Sequence, residues 1–270
     1  MTRVINRETL LKARVQYGHL SKKWHPSFAP FILMKKQRMH VIDLDKTLKC
    51  LAIAGEEIKK LVQEGKKILF VGRKKQAQAI VEETAKRLNQ PYVTERWLGG
   101  TLTNFGTIKK LLRKLGAMEE EMKSESYKHL TKREKLIYIR KKNKQENLLS
   151  GLFSINRLPA AIFVVDVNRE MTAIKEARKL GILVFALADT TAPTHLIDYI
   201  IPANDDAITS IKIILLYLES QIAEGSQLWE KRKAQEEQDS LPDKEQKETT
   251  KKPNKREFIK PTAFINRKTK

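Results

Sequence analysis

Five groups of side chains in this sequence have types and spacings that could do chemistry: one cysteine, five histidines, an acidic cluster, a basic turn after a glycine, and basic runs interleaved with aromatics. Cys50 is alone, so an intrachain disulfide and a cysteine-rich zinc site are both excluded. It falls inside a helical pattern with no motif that would lower a thiol pKa, which argues against a nucleophile. His19, His25, His40, His129 and His195 show no H-E-x-x-H or comparable spacing. His19 and His25 flank Trp24 in a proline-bounded loop, which suits stacking or backbone contacts as well as a metal, with ligation the minority reading. Asp189, Asp198, Asp205 and Asp206 gather beyond the last expected strands and could hold a hard cation. Such residues more often cap helices, and Asp205 or Asp206 is placed to do so.

Gly72-Arg73-Lys74-Lys75 follows an apolar run and precedes a helical pattern, where an open parallel sheet binds phosphates. It has a single glycine, and neither G-x-G-x-x-G nor the P-loop spacing occurs, so a dinucleotide enzyme loses most of its support. Arg73, Lys74 and Lys75 could still hold a phosphate at a helix N-terminus; a solvated basic turn is the equal alternative. The remaining runs are Lys22-Lys23-Trp24-His25, Lys35-Lys36-Gln37-Arg38, Glu95-Arg96-Trp97 and Asn104-Phe105. Their cations suit phosphates and exposed aromatics suit unpaired bases. Trp97 and Phe105 read better as core anchors of their loops.

Charge supports a polyanionic partner. The formal net charge is +21, with 41% apolar and 31% charged residues. Its distribution says more than the total: Lys and Arg against Asp and Glu number 9 against 1 over residues 1–40, 13 against 6 over 106–150, and 6 against 8 over 151–222. A molecule so polarised attracts phosphates by counterion release at two places, and not over its whole surface. The N-terminus has no apolar core of signal-peptide length and the longest apolar runs are too short to span a bilayer, so a soluble protein is expected, in a reducing compartment.

The elements that must position these residues follow from periodicity. A short amphipathic helix is expected over 7–17, stopped by Gly18. Two short strands, 31–34 and 40–42, flank the basic turn 35–38, and a helix with Asp45 as candidate cap runs to about Glu64. Apolar runs 68–71, 92–93, 160–165, 183–187 and 199–201 alternate with helices 76–88, 170–180 and 206–222. That alternation predicts an α/β fold, a parallel sheet with helices on both faces. Between 107 and 150, Ile108, Leu111, Leu112, Leu115, Met118 and Met122 form an apolar stripe. Thr131-Lys132-Arg133-Glu134 then resembles a capping box for a second helix returning through Leu136, Ile137, Ile139 and Leu148. An inserted α-helical hairpin of coiled-coil type is expected, basic on its outside. The organisation is thus a basic arm over 1–44, a sheet domain over 45–106 and 151–225, the hairpin over 107–150, and a charged tail over 226–270 expected to be disordered in isolation. Glu95–Phe105 joins sheet to hairpin, and Gly99-Gly100 gives it access to positive φ.

Gly18-His19, Trp24-x-Pro26, Pro30-Phe31-Ile32 and Phe70-Val71-Gly72-x-Lys74-Lys75-Gln76-Ala77, followed by Arg96–Phe105, Arg157-Leu158-Pro159, Ala188-Asp189-Thr190 and Ile201–Asp206, resemble the ribosomal protein S-two family over about residues 8–225. The resemblance implies a Rossmann-like sheet with an inserted coiled-coil hairpin, and a structural protein that is not an enzyme. It implies binding to small-subunit rRNA and neighbouring ribosomal proteins on the solvent side, near the junction of head and body. Recruitment of ribosomal protein S-one would follow in organisms that have it. A cytoplasmic small subunit is the expected location, with an organellar ribosome open. No cofactor, metal, membrane or homo-oligomer is expected. Three departures stand out: His25 where the family usually has Asn, Arg73 where Thr is common, and no second acid in Asp189–Pro193, which weakens a metal there. The RNA-binding candidates are then Lys22, Lys23, Trp24, His25, Lys35, Lys36, Arg38, Arg73, Lys74, Lys75, Arg96, Thr101, Thr103, Asn104, Lys109, Lys110, Arg113 and Lys114.

Overall fold

The computed structural model describes residues 5–239. The chain divides into two compact units between Glu230 and Lys231; both sheets and the insert lie in the first, and the described part of the second is helical.

The first unit opens with α1 (Arg7–Lys12), capped by Asn6, whose side chain accepts from Thr9 N while Thr9 Oγ1 accepts from Asn6 N. The helix is shorter than its pattern suggested, because Arg14 adopts φ +62 and turns the chain out. Tyr17–Leu20 is then strand β1 and not the end of a helix. With β2 (Ile32–Lys36) and β3 (Met39–Ile42) it makes an antiparallel sheet in the order β1-β3-β2. Gln37 and Arg38, at φ +46 and +66, form the two-residue turn. Gly18 is required by close approach: a Cβ there would lie 2.5 Å from Thr190 Cγ2.

Helix α2 (Leu44–Gln63) is capped by Asp43, not Asp45: Asp43 Oδ1 accepts from the amides of Asp45 and Lys46. It leads into the second sheet, five parallel strands in the order β5-β4-β6-β7-β8, with β4 Ile68–Val71, β5 Tyr92–Val93, β6 Ala161–Val165, β7 Leu183–Ala188 and β8 Tyr199–Pro202. The central strands are apolar on both faces because helices cover both. Ile68, Phe70, Phe163 and Phe185 pack with α2, α3 (Lys75–Arg87) and α8 (Ile208–Asp239). Leu69, Val71, Ile162 and Val184 pack with α7 (Met171–Lys179) and the base of the insert. The expected Rossmann-like α/β fold is therefore present. The last helix passes its expected end at Ile222 and reaches Asp239, so the first part of the expected tail is helical; residues 240–270 lie outside the described residues.

The insert between β5 and β6 holds α4 (Phe105–Glu121), the one-turn α5 (Glu125–Lys128) and α6 (Lys132–Leu149). Tyr138 Oη donates to Glu121 Oε2 at 2.6 Å and Lys142 meets Glu119 at 3.1 Å, an antiparallel register. Thr131 and Glu134 form the expected capping box. The stripe on α4 is buried at Ile108, Leu115 and Met118. Leu136 and Ile137, expected to return along the inner face, instead stay 48% and 56% exposed, and Tyr138 takes the inward position.

Candidate nucleic-acid interface

The strand order reverses between β4 and β6, so a ligand crevice would open at their carboxyl ends. Side chains close it. Arg73, leaving β4, donates Nε to both carboxylate oxygens of Glu170 (2.8 and 2.7 Å), and its backbone N–H, the group a phosphate would need, donates to the same residue at 3.2 Å. Burial raises the Glu170 pKa against the pull of Arg73. Lys74 is buried, with its ammonium 2.7 Å from Asp205, 2.6 Å from Asp206 and 3.5 Å from Asp166. Burial, with Asp189 and Asp166 near, pushes Asp205 up to about 7 despite Lys74. An incoming phosphate would face these carboxylates and find both cations engaged.

The N-terminal sheet seals the same end. His19 on β1 places Nδ1 2.7 Å from Asp189 Oδ2 and Nε2 3.2 Å from Asp206 Oδ2. The bond to Asp189 raises its pKa. Of the acidic residues expected to cluster, Asp189, Asp205 and Asp206 do so, whereas Asp198 bonds Val184 N at 2.8 Å instead. Asp205 and Asp206 turn their carboxylates to Lys74 and not to the start of α8, while Asn204 Oδ1 accepts from the amides of Asp206 and Ala207 in the turn ahead of that helix. His19, Asp205 and Asp206 bring ligand atoms within 4.8 Å of one another. Lys74 already supplies the positive charge at that spot.

A second carboxylate organises the junction of sheet and insert. Glu176 on α7 accepts from Trp97 Nε1 (3.0 Å) and Gly100 N (2.8 Å) through Oε1, and from Leu102 N (3.0 Å), Thr103 N (3.1 Å) and Thr103 Oγ1 (3.2 Å) through Oε2. Burial acts to raise its pKa, but the Trp97 and loop N–H bonds outweigh that and hold it below the usual carboxylate value. Only one glycine of the pair is conformationally required: Gly100 has φ +89, while a Cβ at Gly99 would meet nothing. Trp97 is core, as expected, and Phe105 is half-buried with the Lys109 ammonium 5.0 Å from its ring centroid.

The expected RNA-binding residues thus divide. Lys22, Lys23 and Trp24 are exposed after β1, with Trp24 ring-packed on His40 at 5.2 Å; Lys35, Lys36 and Arg38 are exposed on the β2–β3 hairpin. Lys75, Arg96, Thr103, Asn104, Lys110, Arg113 and Lys114 are also exposed, and Lys109 is half-buried. His25 is turned inward, its Nδ1 2.6 Å from Ser27 Oγ, where it caps the turn Pro26–Phe31. Two candidates fail on burial: Lys74 is consumed by the crevice, and Thr101 is buried with its hydroxyl on Leu98 O at 2.6 Å. Arg73 keeps partial exposure but spends its guanidinium on Glu170. Glu176 and Glu170 went unforeseen. Glu176 did carry a signal, an acid on the face of α7 that buries Ala173 and Ala177.

These features define a class: a doubly wound α/β domain whose ligand crevice is filled by its own ion pairs, and which carries exposed cations without ion-pair partners among the described residues on its N-terminal sheet and its insert. No described helix is long and apolar enough to cross a membrane. The family model for ribosomal protein S2 matches residues 10–225. The chain is 51% identical over 235 residues to small ribosomal subunit protein uS2 of Amoebophilus asiaticus, covering 87% of this chain and 75% of that one. It is 52% identical to the protein of that name from Cytophaga hutchinsonii (79% and 84% covered) and 43% identical to that from Chlorobaculum parvum (90% and 97% covered). The chain belongs to the ribosomal protein S2 family, a family of structural, non-enzymatic ribosomal proteins.

Proposed function

We propose that this protein is a structural constituent of the cytoplasmic small ribosomal subunit, holding small-subunit rRNA with the N-terminal arm and the inserted helices. Its location is the solvent side near the head–body junction, among other small-subunit proteins, with ribosomal protein S-one recruited where present. The observation that carries the reading is the sorting of cations. Arg73 and Lys74 are neutralised internally, whereas Lys22, Lys23, Lys35, Lys36, Arg38, Lys110, Arg113 and Lys114 are exposed and make no ion pair among the described residues. Solvated cations without carboxylate partners are the ones that can exchange counterions for phosphates.

The test is sedimentation of a native lysate through a sucrose gradient, with the protein expected in small subunits and recovery in the soluble fraction overturning the assignment. Reversing Lys109, Lys110, Arg113 and Lys114 to Glu should lower incorporation by at least about tenfold, since each lost phosphate contact also loses its counterion release. The purified variant should keep its helix content; undiminished incorporation would remove the hairpin from the contact surface.

A further inference from the structure

At the amino end of the parallel sheet, remote in the fold from the filled crevice, the chain leaves a second opening. A cavity of about 490 Å³ lies between the ends of α2 and α3, the approach to β4, and the Ala223–Glu230 stretch of α8. That volume is in the range of small-ligand pockets. Its charged lining is Lys66, Lys67 and Arg87 against the single carboxylate of Glu230.

The three cations are not equivalent. Lys66 is paired with Glu64 at 2.5 Å, and Arg87 with Glu83 and Glu219 at 3.2 and 2.9 Å. Lys67 is half-buried and donates to Asn89 O at 2.5 Å, with no carboxylate in ion-pair range among the described residues. A partly desolvated ammonium met only by a carbonyl is poorly compensated, which favours the neutral amine. Burial accordingly lowers its pKa, whereas acidic partners raise those of Lys60, Lys86 and Lys142, and that of Lys74 against its own burial. A desolvated lysine on a cavity wall has the setting in which an amine acts as a nucleophile. Its bond to Asn89 O does not require the charge, because an amide N–H at the same nitrogen can donate to the same carbonyl.

We infer that Lys67 is a covalent modification site, acylated by a small acyl phosphate that enters this cavity. The Nζ lone pair attacks the acyl carbon, an N–C bond forms, and the C–O bond to phosphate breaks. Phosphate leaves with that electron pair and receives, through water, the proton the amine gives up. The lining fits this class of donor: three cations face one carboxylate, and with Lys66 and Arg87 already paired the surplus suits one phosphate. The several phosphates of a nucleotide-linked thioester would exceed it. The product is a neutral amide whose N–H stays on Asn89 O, so the modification removes a charge and leaves the fold in place.

The experiment uses the purified full-length protein, acetyl phosphate at pH 8, cleavage at glutamate, and mass-spectrometric mapping of acetylated lysines. One product peptide, residues 65–82, carries its own controls: Lys66 is paired, Lys67 is without a carboxylate, Lys74 is buried on Asp205, and Lys75 is solvated. Lys67 should acetylate at least about threefold faster than Lys75, because the fraction of free amine rises as an ammonium pKa falls. Lys74 should stay unmodified, which reports that the protein is folded. In concentrated urea the lead of Lys67 should disappear. Arg87→Gln should slow Lys67 toward acetyl phosphate and leave its rate toward N-acetoxysuccinimide, an uncharged acetyl donor, unchanged. Lys75 reacting as fast as Lys67 in the folded protein would overturn the site, and so would a lead of Lys67 that persists in urea. An Arg87→Gln rate toward acetyl phosphate equal to that of the wild type would overturn the acyl phosphate as its donor.

Discussion

The crevice at the carboxyl ends of the strands and the loop at the base of the insert are both organised by carboxylates, all buried but Asp206, yet they treat charge in opposite ways. In the crevice, Asp166, Asp205, Asp206 and Glu170 take their positive partners from Lys74 and Arg73, so basic residues are drawn inward and become unavailable to solvent. At the insert, Glu176 is satisfied by an indole N–H, backbone amides and one hydroxyl, so no cation is used. Arg96, Lys110 and Lys114 are left exposed. A carboxylate satisfied by neutral donors fixes a loop without diminishing the external positive charge. The same fold therefore closes the crevice where open parallel sheets bind ligands and leaves basic residues exposed on the insert.

Removing the charge that closes the crevice should have the largest effect. Lys74→Met leaves the buried Asp205 without its cation, and breaking such a pair costs about 3–5 kcal/mol. Urea unfolding at pH 8 should show that loss. At pH 5 the loss should shrink, because Asp205, already pushed up to about 7, can take a proton there and relieve the repulsion. A loss independent of pH would mean the carboxylates are not the origin. Glu176→Gln is next. One amide oxygen replaces two charged acceptors, and the new NH2 faces donors, so about 2–3 kcal/mol should be lost, near the worth of hydrogen bonds to a charged group. Hydrogen exchange should quicken at Gly100–Thr103 in particular; a uniform change across the sheet would place the effect elsewhere.

These two networks also mark where sequence reasoning reached its limit. The parallel sheet was legible because Ile68–Val71, Ala161–Val165 and Leu183–Ala188 are apolar on both faces, a local property. The insert was legible from the α4 stripe and the Thr131–Glu134 box. Strand β1 was not, because its partner β3 lies some twenty residues on and Tyr17–Leu20 alone is compatible with a helix end. The roles of the basic residues were even less local. Lys74 and Lys75 are neighbours of identical type, and only the fold, which brings residues 166, 205 and 206 to one of them, makes the first a buried ion pair and the second a solvated charge. Glu176 could have been suspected from its apolar face, but its five donors lie more than seventy residues away.

The smallest effect concerns how the N-terminal sheet is held against the crevice. His19 joins β1 to Asp189 and Asp206, and its bond to Asp189 raises its pKa above the ordinary 6.5. A histidine whose pKa is higher in the folded state stabilises that state fully below the unfolded value. The contribution is lost as pH rises through the folded value. Asp189 is buried but His19 is partly exposed, so solvent screening from the His19 side should hold the contribution to about 1 kcal/mol. His19→Gln should therefore lie below wild type in urea midpoint at pH 5.5, and the gap should narrow as pH climbs above 6.5 through the raised folded-state value. Asp205 titrates over part of the same range and its charge acts on His19, so the same comparison in an Asp205→Asn background isolates His19. A gap that stays constant from pH 5.5 to 9 would mean that His19 holds the sheet by packing alone. The crevice would then differ from the insert only in Lys74 and Arg73, and the N-terminal arm would owe its place to packing and to neutral hydrogen bonds such as His19 N–H to Thr190 Oγ1 and Asn204 N–H to Val15 O.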